Sequence, residues 1–167
     1  MGVTIMEKTM WLVKKLKNRA KQHPQLSRLV LKKGEMFGWD HTACVIFYNP
    51  RADGAEYYLL HEFGHALLQH TGFLRDIDLL KMERAAWDEA QTLGSECGID
   101  IPADSIEDAL DTYRDWLHSR SICPECEATG IQIAPYLYRC TACRGEWRVN
   151  EARTCNLRRY ITKKRPV

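Results

Sequence analysis

Apolar and polar positions repeat along this chain with two periods, and each period marks its own kind of element. Over residues 4–21, Ile5, Met6, Met10, Leu12, Val13 and Leu16 recur at helical spacing among lysines, and Pro24 stops the run. Leu26 to Leu31 is apolar and partly β-branched, and Lys32-Lys33-Gly34 turns after it, so a strand is expected at about residues 27–32. Thr42–Tyr48 is the clearest strand, followed by a loop from Asn49 to Gly54. A helix comes next and is expected to end near Thr71, with Gly72 at its C′ position. Asp76 or Asp78 caps a second helix that runs to about Gly94. Asp104 with Glu107 resembles a capping box and opens a third helix to about His118, with Ile106, Leu110, Tyr113 and Leu117 on its apolar face. Gly130–Arg139, with Ile131, Ile133, Tyr136 and Tyr138, reads as the arm of a β-hairpin. The expected fold class is α+β: a small sheet with three to four helices over 1–120, a small cysteine-held module over 121–150 and a basic tail over 151–167.

Chemistry concentrates in His61-Glu62-Phe63-Gly64-His65, inside the helix that follows the clearest strand. Histidines four apart lie one turn from each other on the same helix face, so both imidazoles can reach one tetrahedral Zn²⁺. Glu62 beside them is placed to take a proton from an activated water. Leu60, Phe63 and Leu67 bury the same helix, and buried imidazoles with a buried carboxylate need partners, which a metal supplies.

A catalytic zinc commonly has three protein ligands and one open position. The second helix offers Asp76, Asp78, Glu83, Asp88 and Glu89. Helical phase separates them: Glu83 shares a stripe with Leu79, Ala86, Ala90, Leu93 and Cys97, where a carboxylate is unexpected unless it meets a metal or a base. Asp88 groups with Lys81, Arg84, Gln91 and Ser95 on a polar face, while Glu89 lies on the boundary beside Met82 and Ala85. Glu83 is the expected third ligand, with Glu89 the alternative. His70, continued along one helix, points away from both His61 and His65 and is read as a histidine of the last helical turn. Tyr48, Tyr113 and His118 are candidate electrophilic helpers for an oxyanion.

The run His61–His70 resembles the H-E-x-G-H-x-x-L-x-H signature of the ImmA/IrrE family of zinc metallopeptidases. Val45–Arg51 is similar to that family's strand and Asn-Pro turn, and Glu83–Ala90 to its Glu-bearing second helix. The resemblance covers about residues 25–95. It implies a gluzincin-like site with His61, His65 and Glu83 on zinc and Glu62 as general base. It also implies a protein target such as a helix-turn-helix repressor, in the setting of a phage or mobile element. The union of H-E-x-x-H with a metal-binding tail also resembles, in architecture, the SprT/Spartan proteases.

A second metal site is legible further on. Cys123 and Cys126 form one C-x-x-C pair and Cys140 and Cys143 another, the spacing of a zinc ribbon. Four thiolates close the coordination shell, so this Zn²⁺ is expected to be structural. The odd cysteine total, seven, together with this spacing points to a reducing cytoplasm rather than a disulfide framework.

Charge adds a partner question. Residues 1–33 carry nine Lys or Arg against Glu7 alone, and residues 139–167 carry nine against Glu146 and Glu151, while the middle is acidic. Around the ribbon, Arg144, Arg148, Arg153, Arg158, Arg159, Lys163, Lys164 and Arg165 surround Trp147 and Tyr160, a composition suited to phosphates and base stacking. Arg144, Arg148, Arg158 and Arg159 are the candidate nucleic-acid or partner contacts. No apolar stretch approaches the ~18 residues a membrane span needs, and the first residues lack a signal-peptide core, so a cytoplasmic protein without a membrane partner is expected. The expected activity is zinc-dependent hydrolysis of peptide bonds in a DNA-binding repressor or DNA-bound protein. The competing expectation is a nucleic-acid- or protein-binding ribbon regulator with a non-catalytic core.

Overall fold

Thr4 opens the first helix, α1 (Ile5–Ala20), in the computed structural model, which describes residues 4–164. Its hydroxyl accepts from the Glu7 amide while Glu7 Oε2 accepts from the Thr4 amide, at 3.2 and 2.9 Å. This reciprocal pair satisfies two donors that a helix start otherwise leaves bare. β1 (Val30–Lys33), β2 (Gly38–Asp40), β3 (Val45–Tyr48), α2 (Ala55–Leu67), α3 (Asp76–Cys97) and α4 (Ala103–Ser121) follow. Then come β4 (Gly130–Ala134), β5 (Leu137–Cys140), β6 (Glu146–Val149) and β7 (Arg159–Lys163). The fold is α+β, with four helices and two small sheets among the described residues. Among those residues no helix is long and apolar enough to cross a membrane.

The chain forms two compact units, Met1–Thr71 with Met82–Ile106, and Gly72–Lys81 with Glu107–Val167. In the first unit the sheet order is β1-β3-β2, with β1 parallel and β2 antiparallel to β3. Leu31, Ile46 and Tyr48 of this sheet are buried, as are Leu12, Val13 and Leu16 of α1 and Leu59, Leu60 and Phe63 of α2. Each such side chain contributes roughly 1.5–3 kcal/mol on leaving water.

Several boundaries differ from the periodicity. The strand expected over 42–48 starts only at Val45, because Asp40 Oδ1 accepts from the amides of Thr42 and Ala43 at 2.9 and 3.0 Å and Cys44 turns left-handed at φ +53°. That turn sends the chain back to pair with β2, which carries no apolar alternation of its own. α2 stops at Leu67 rather than near Thr71, and Gln69 at φ +53°, not Gly72, takes the left-handed position after it. α3 runs through Gly94 to Cys97. The Ile99 amide donates to Gly94 O at 2.8 Å, and a side chain at Gly94 would meet Ile99 O at 2.7 Å, so this glycine accommodates the returning chain and Gly98 (φ +69°) ends the helix. The carbonyl of Pro102 accepts from the Ser105 and Ile106 amides of α4, and Asp104 lies in its first turn rather than at its cap.

In the second unit β4-β5-β6-β7 form an antiparallel sheet. The stretch expected as a basic tail is partly strand: β7 pairs with β6, and Glu151 shapes the approach by accepting from the Arg153 and Thr154 amides at 3.1 and 3.3 Å. Arg165 lies outside the described residues. Asp76, expected as a helix cap, is instead the hub of a buried ionic network. Its carboxylate accepts from Arg120 Nε and Tyr138 Oη at 2.5 Å each and from Gln132 Nε2 at 3.2 Å. Asp76 and Arg120 are 3% and 1% exposed, so neither charge has solvent to fall back on.

Asp76→Ala leaves Arg120 buried without its counter-charge, a loss of about 3–5 kcal/mol. Chemical denaturation of the two proteins should show that fall in the transition reporting on the second unit.

Candidate metal centres

Close contact between α2 and α3 builds the first centre. A side chain at Gly64 would come within 2.6 Å of Ala86 O, so only glycine lets the two backbones approach this far. Gly64 immediately precedes His65 on α2, and Ala86 lies one turn beyond Glu83 on α3. The approach therefore lays His61 and His65 against Glu83. All three are buried, at 5%, 7% and 5% exposure. Glu89 is half-buried and Asp88 exposed, where its carboxylate pairs with Arg84 at 3.2 Å. The apolar stripe of α3 is thus what brings Glu83, and not its neighbours, to the histidines.

The three inward atoms form a tight triangle. His61 Nε2 lies 3.1 Å from Glu83 Oε2, His65 Nε2 lies 3.4 Å from the same oxygen, and the two Nε2 atoms are 3.1 Å apart. Zinc–nitrogen and zinc–oxygen bonds of 2.0–2.1 Å in a tetrahedron place neighbouring ligand atoms about 3.3 Å apart. The residues present therefore fit a metal ion with three protein ligands and a fourth position left over.

Electrostatics match that chemistry. Burial works against charge on Glu83, but the adjoining imidazoles of His61 and His65 outweigh it and hold the carboxyl well below the usual carboxylate range. Burial pushes the His61 imidazole below its ordinary value, with Glu83 opposing the shift. An ionised carboxylate and an imidazole kept neutral are donor states that a divalent metal takes up. Trp87 stacks on His61, with ring centroids 4.3 Å apart and planes at 30°. Trp87 lies four residues after Glu83 and so on the same helix face, the spacing by which it is legible in the sequence.

His70 is the larger departure. Because α2 ends at Leu67 and Gln69 turns left-handed, the chain doubles back and His70 Nδ1 lies 2.8 Å from His65 Nδ1. A single continuous helix would instead point it away from His65. The signal was present in the end of the apolar run at Leu68, after which only polar residues precede Gly72. Of the proposed oxyanion helpers, Tyr48 is buried with its hydroxyl donating to Met10 Sδ at 3.9 Å, Tyr113 Oη accepts from Arg153 at 3.0 Å, and His118 is exposed.

The second centre comprises Cys123, Cys126, Cys140 and Cys143, whose sulfurs all lie within 4.8 Å of one another. The pairs Cys123–Cys143 and Cys126–Cys140 are 3.7 and 3.4 Å apart, far beyond a disulfide bond and near the roughly 3.8 Å of four thiolates around zinc at 2.3 Å. Burial opposes charge on Cys140, but amides of Cys143 and Ala142 donate to its sulfur and bring it down to about 6. The Gly145 amide favours a thiolate on Cys143, yet burial and the neighbouring sulfurs push it up to about 12. Four sulfurs so close cannot all be ionised without a cation between them. Beneath them lie Tyr138, Trp147 and Val149, the small apolar core of this sheet.

The candidate contact arginines separate by register. Leu137, Arg148 and Tyr160 are paired in one row across β5, β6 and β7, on the face opposite the buried Tyr138 and Trp147. Arg158 flanks that row through its amide, which donates to Asn150 Oδ1 at 2.8 Å. Arg159 falls on the other parity and donates to Ser119 O. Arg144 is exposed in the turn after Cys143.

Gly64→Ala forces α2 and α3 apart, with an expected loss of about 1–3 kcal/mol. Metal titration should show weakened binding at the His61–His65–Glu83 centre and unchanged binding at the cysteines. No protein-family model, curated protein or solved structure matches this chain.

Proposed function

We propose that the protein is a zinc-dependent peptidase related to the ImmA/IrrE metallopeptidases, with His61, His65 and Glu83 as ligands and Glu62 as general base. The observation that carries this reading is the buried triangle of two imidazole nitrogens and one carboxylate oxygen, next in sequence to a second carboxylate. Two nitrogens and one oxygen with a fourth position open is the donor set of hydrolytic rather than structural zinc. Zinc so held supplies Lewis-acid polarisation of a carbonyl and a lowered pKa for water.

The remaining work falls to the chain itself. Glu62, half-buried one residue after His61, takes the proton of the attacking water on a carboxylate oxygen and passes it to the leaving amine. An extended peptide presents its carbonyl by adding to a sheet edge. β3 cannot provide that edge, because it is central and paired on both sides. β2 is an outer strand, and its Trp39 Nε1 donates to His70 O at 3.0 Å, so it is the edge tied to the site. The four cysteines hold a zinc ribbon whose metal folds residues too few to form a large core.

A second reading adds a nucleic-acid contact on the ribbon, favoured by the exposed row of Arg148 and Tyr160 with Arg158 alongside. Arginines neutralise phosphates and tyrosine stacks on bases. This fits a target that is itself a DNA-binding repressor or a DNA-bound protein.

Glu62→Gln should keep two zinc ions per chain and lower peptide hydrolysis by at least about 10²-fold. The measurement is cleavage of a peptide library and of candidate DNA-binding proteins, with and without chelator, beside elemental analysis. Undiminished cleavage by the variant would overturn the assignment of the base. For the second reading, Arg148→Ala with Arg158→Ala should weaken binding to an oligonucleotide and reduce the slope of log affinity against log salt by about 1–2. An unchanged slope would remove these arginines from the contact.

A further inference from the structure

His61 and His65 face the same triangle, but their outward nitrogens meet different surroundings. His61 Nδ1 is buried with no hydrogen-bond partner among the described residues, and its ring is held by the stack on Trp87. His65 Nδ1 has a partner at 2.8 Å, the Nδ1 of His70. That partner is clamped through its backbone at both ends. The His70 amide donates to His65 O at 3.0 Å, and the His70 carbonyl accepts from Trp39 Nε1 at 3.0 Å. The left-handed residue Gln69 creates the turn that makes this clamp possible.

From this geometry we infer that His70 is a positioning residue for the metal centre: it accepts the Nδ1–H of His65 and thereby fixes His65 as an Nε2 ligand. The inference rests on the metal-centre reading above and deepens it. The tautomers follow from proton counting. A ligand nitrogen must present a lone pair, so His65 with Nε2 toward Glu83 and His61 carries its ring proton on Nδ1. Two ring nitrogens 2.8 Å apart share one hydrogen, so His70 Nδ1 is the acceptor and its own proton sits on Nε2. An acceptor behind a ligand imidazole holds the ring's orientation and raises its basicity. His70 does not itself reach the triangle, because the nitrogen it turns toward the site is the one engaged with His65.

The test uses the full chain and Co²⁺ and Zn²⁺ as probes, with chelator competition to measure affinity at each centre. The cysteine centre, read from its thiolate–cobalt absorption, serves as the internal control. His70→Ala should weaken metal binding at the His61–His65–Glu83 centre by about 10- to 100-fold and leave the cysteine centre unchanged. His70→Asn, whose amide oxygen can stand near the position of Nδ1, should recover most of the loss. His70→Phe, which fills the space without an acceptor, should not. The Asn and Phe pair decides the question even if the alanine variant folds poorly. Equal affinity in Asn and Phe variants, or wild-type affinity in either Ala or Phe, overturns the role of His70 while leaving the metal centre intact. A wild-type chain that takes up metal only at its cysteines overturns the centre itself, and this inference with it.

Discussion

A carboxylate pressed into an apolar helix stripe is the constraint on which the first unit turns. Ala86, Ala90 and Leu93 drive one face of α3 out of water, and Glu83 is carried inward with them. An unpaired carboxylate there would cost more than the burial of several methylenes returns. Two imidazoles from α2 answer that cost, and a metal ion would answer it more fully. The same close approach that buries the apolar stripe therefore also assembles the ligands, and Gly64 sits at the point where both depend on backbone distance.

The second unit solves a comparable problem by different means. Asp76 and Arg120 are buried ions that satisfy each other directly, with Tyr138 and Gln132 completing the carboxylate's shell. Tyr138 also stacks with Trp147, whose indole donates to Arg120 O at 3.1 Å, so the ionic hub and the small core under the cysteines share residues. A four-stranded sheet this small has little apolar area of its own. Its stability must come largely from such shared contacts, to which an ion held by the four sulfurs would add.

The two centres differ in what they leave open. Four sulfurs complete a tetrahedron and leave no place for a reactant, whereas two nitrogens and one oxygen leave one. This difference in donor number underlies the proposed division of labour between a hydrolytic centre and a structural one. The row of Leu137, Arg148 and Tyr160 gives the four-stranded sheet a face opposite its buried Tyr138 and Trp147.

Much of this was written in local patterns. The i, i+4 histidines, the two C-x-x-C pairs and the lone acid on an apolar stripe are each local patterns, so residue order alone was enough to group His61 with His65 and Glu83, and the four cysteines with one another, as the fold groups them. The helices are legible in the same local way, because amphipathic period and helical geometry are one fact. What residue order could not determine was where chains from different elements meet. β3 became the central strand only because β2, which has no apolar alternation, pairs with it. Asp76 became an ionic hub only because Arg120, 44 residues away, reaches it. His70 came to His65 only because the helix stopped early and Gln69 took a left-handed turn that no glycine announced. Periodicity records which face of an element is apolar; it holds no information on which neighbour will cover that face, and in this protein that choice of neighbour decides the roles of Asp76, Trp87 and His70.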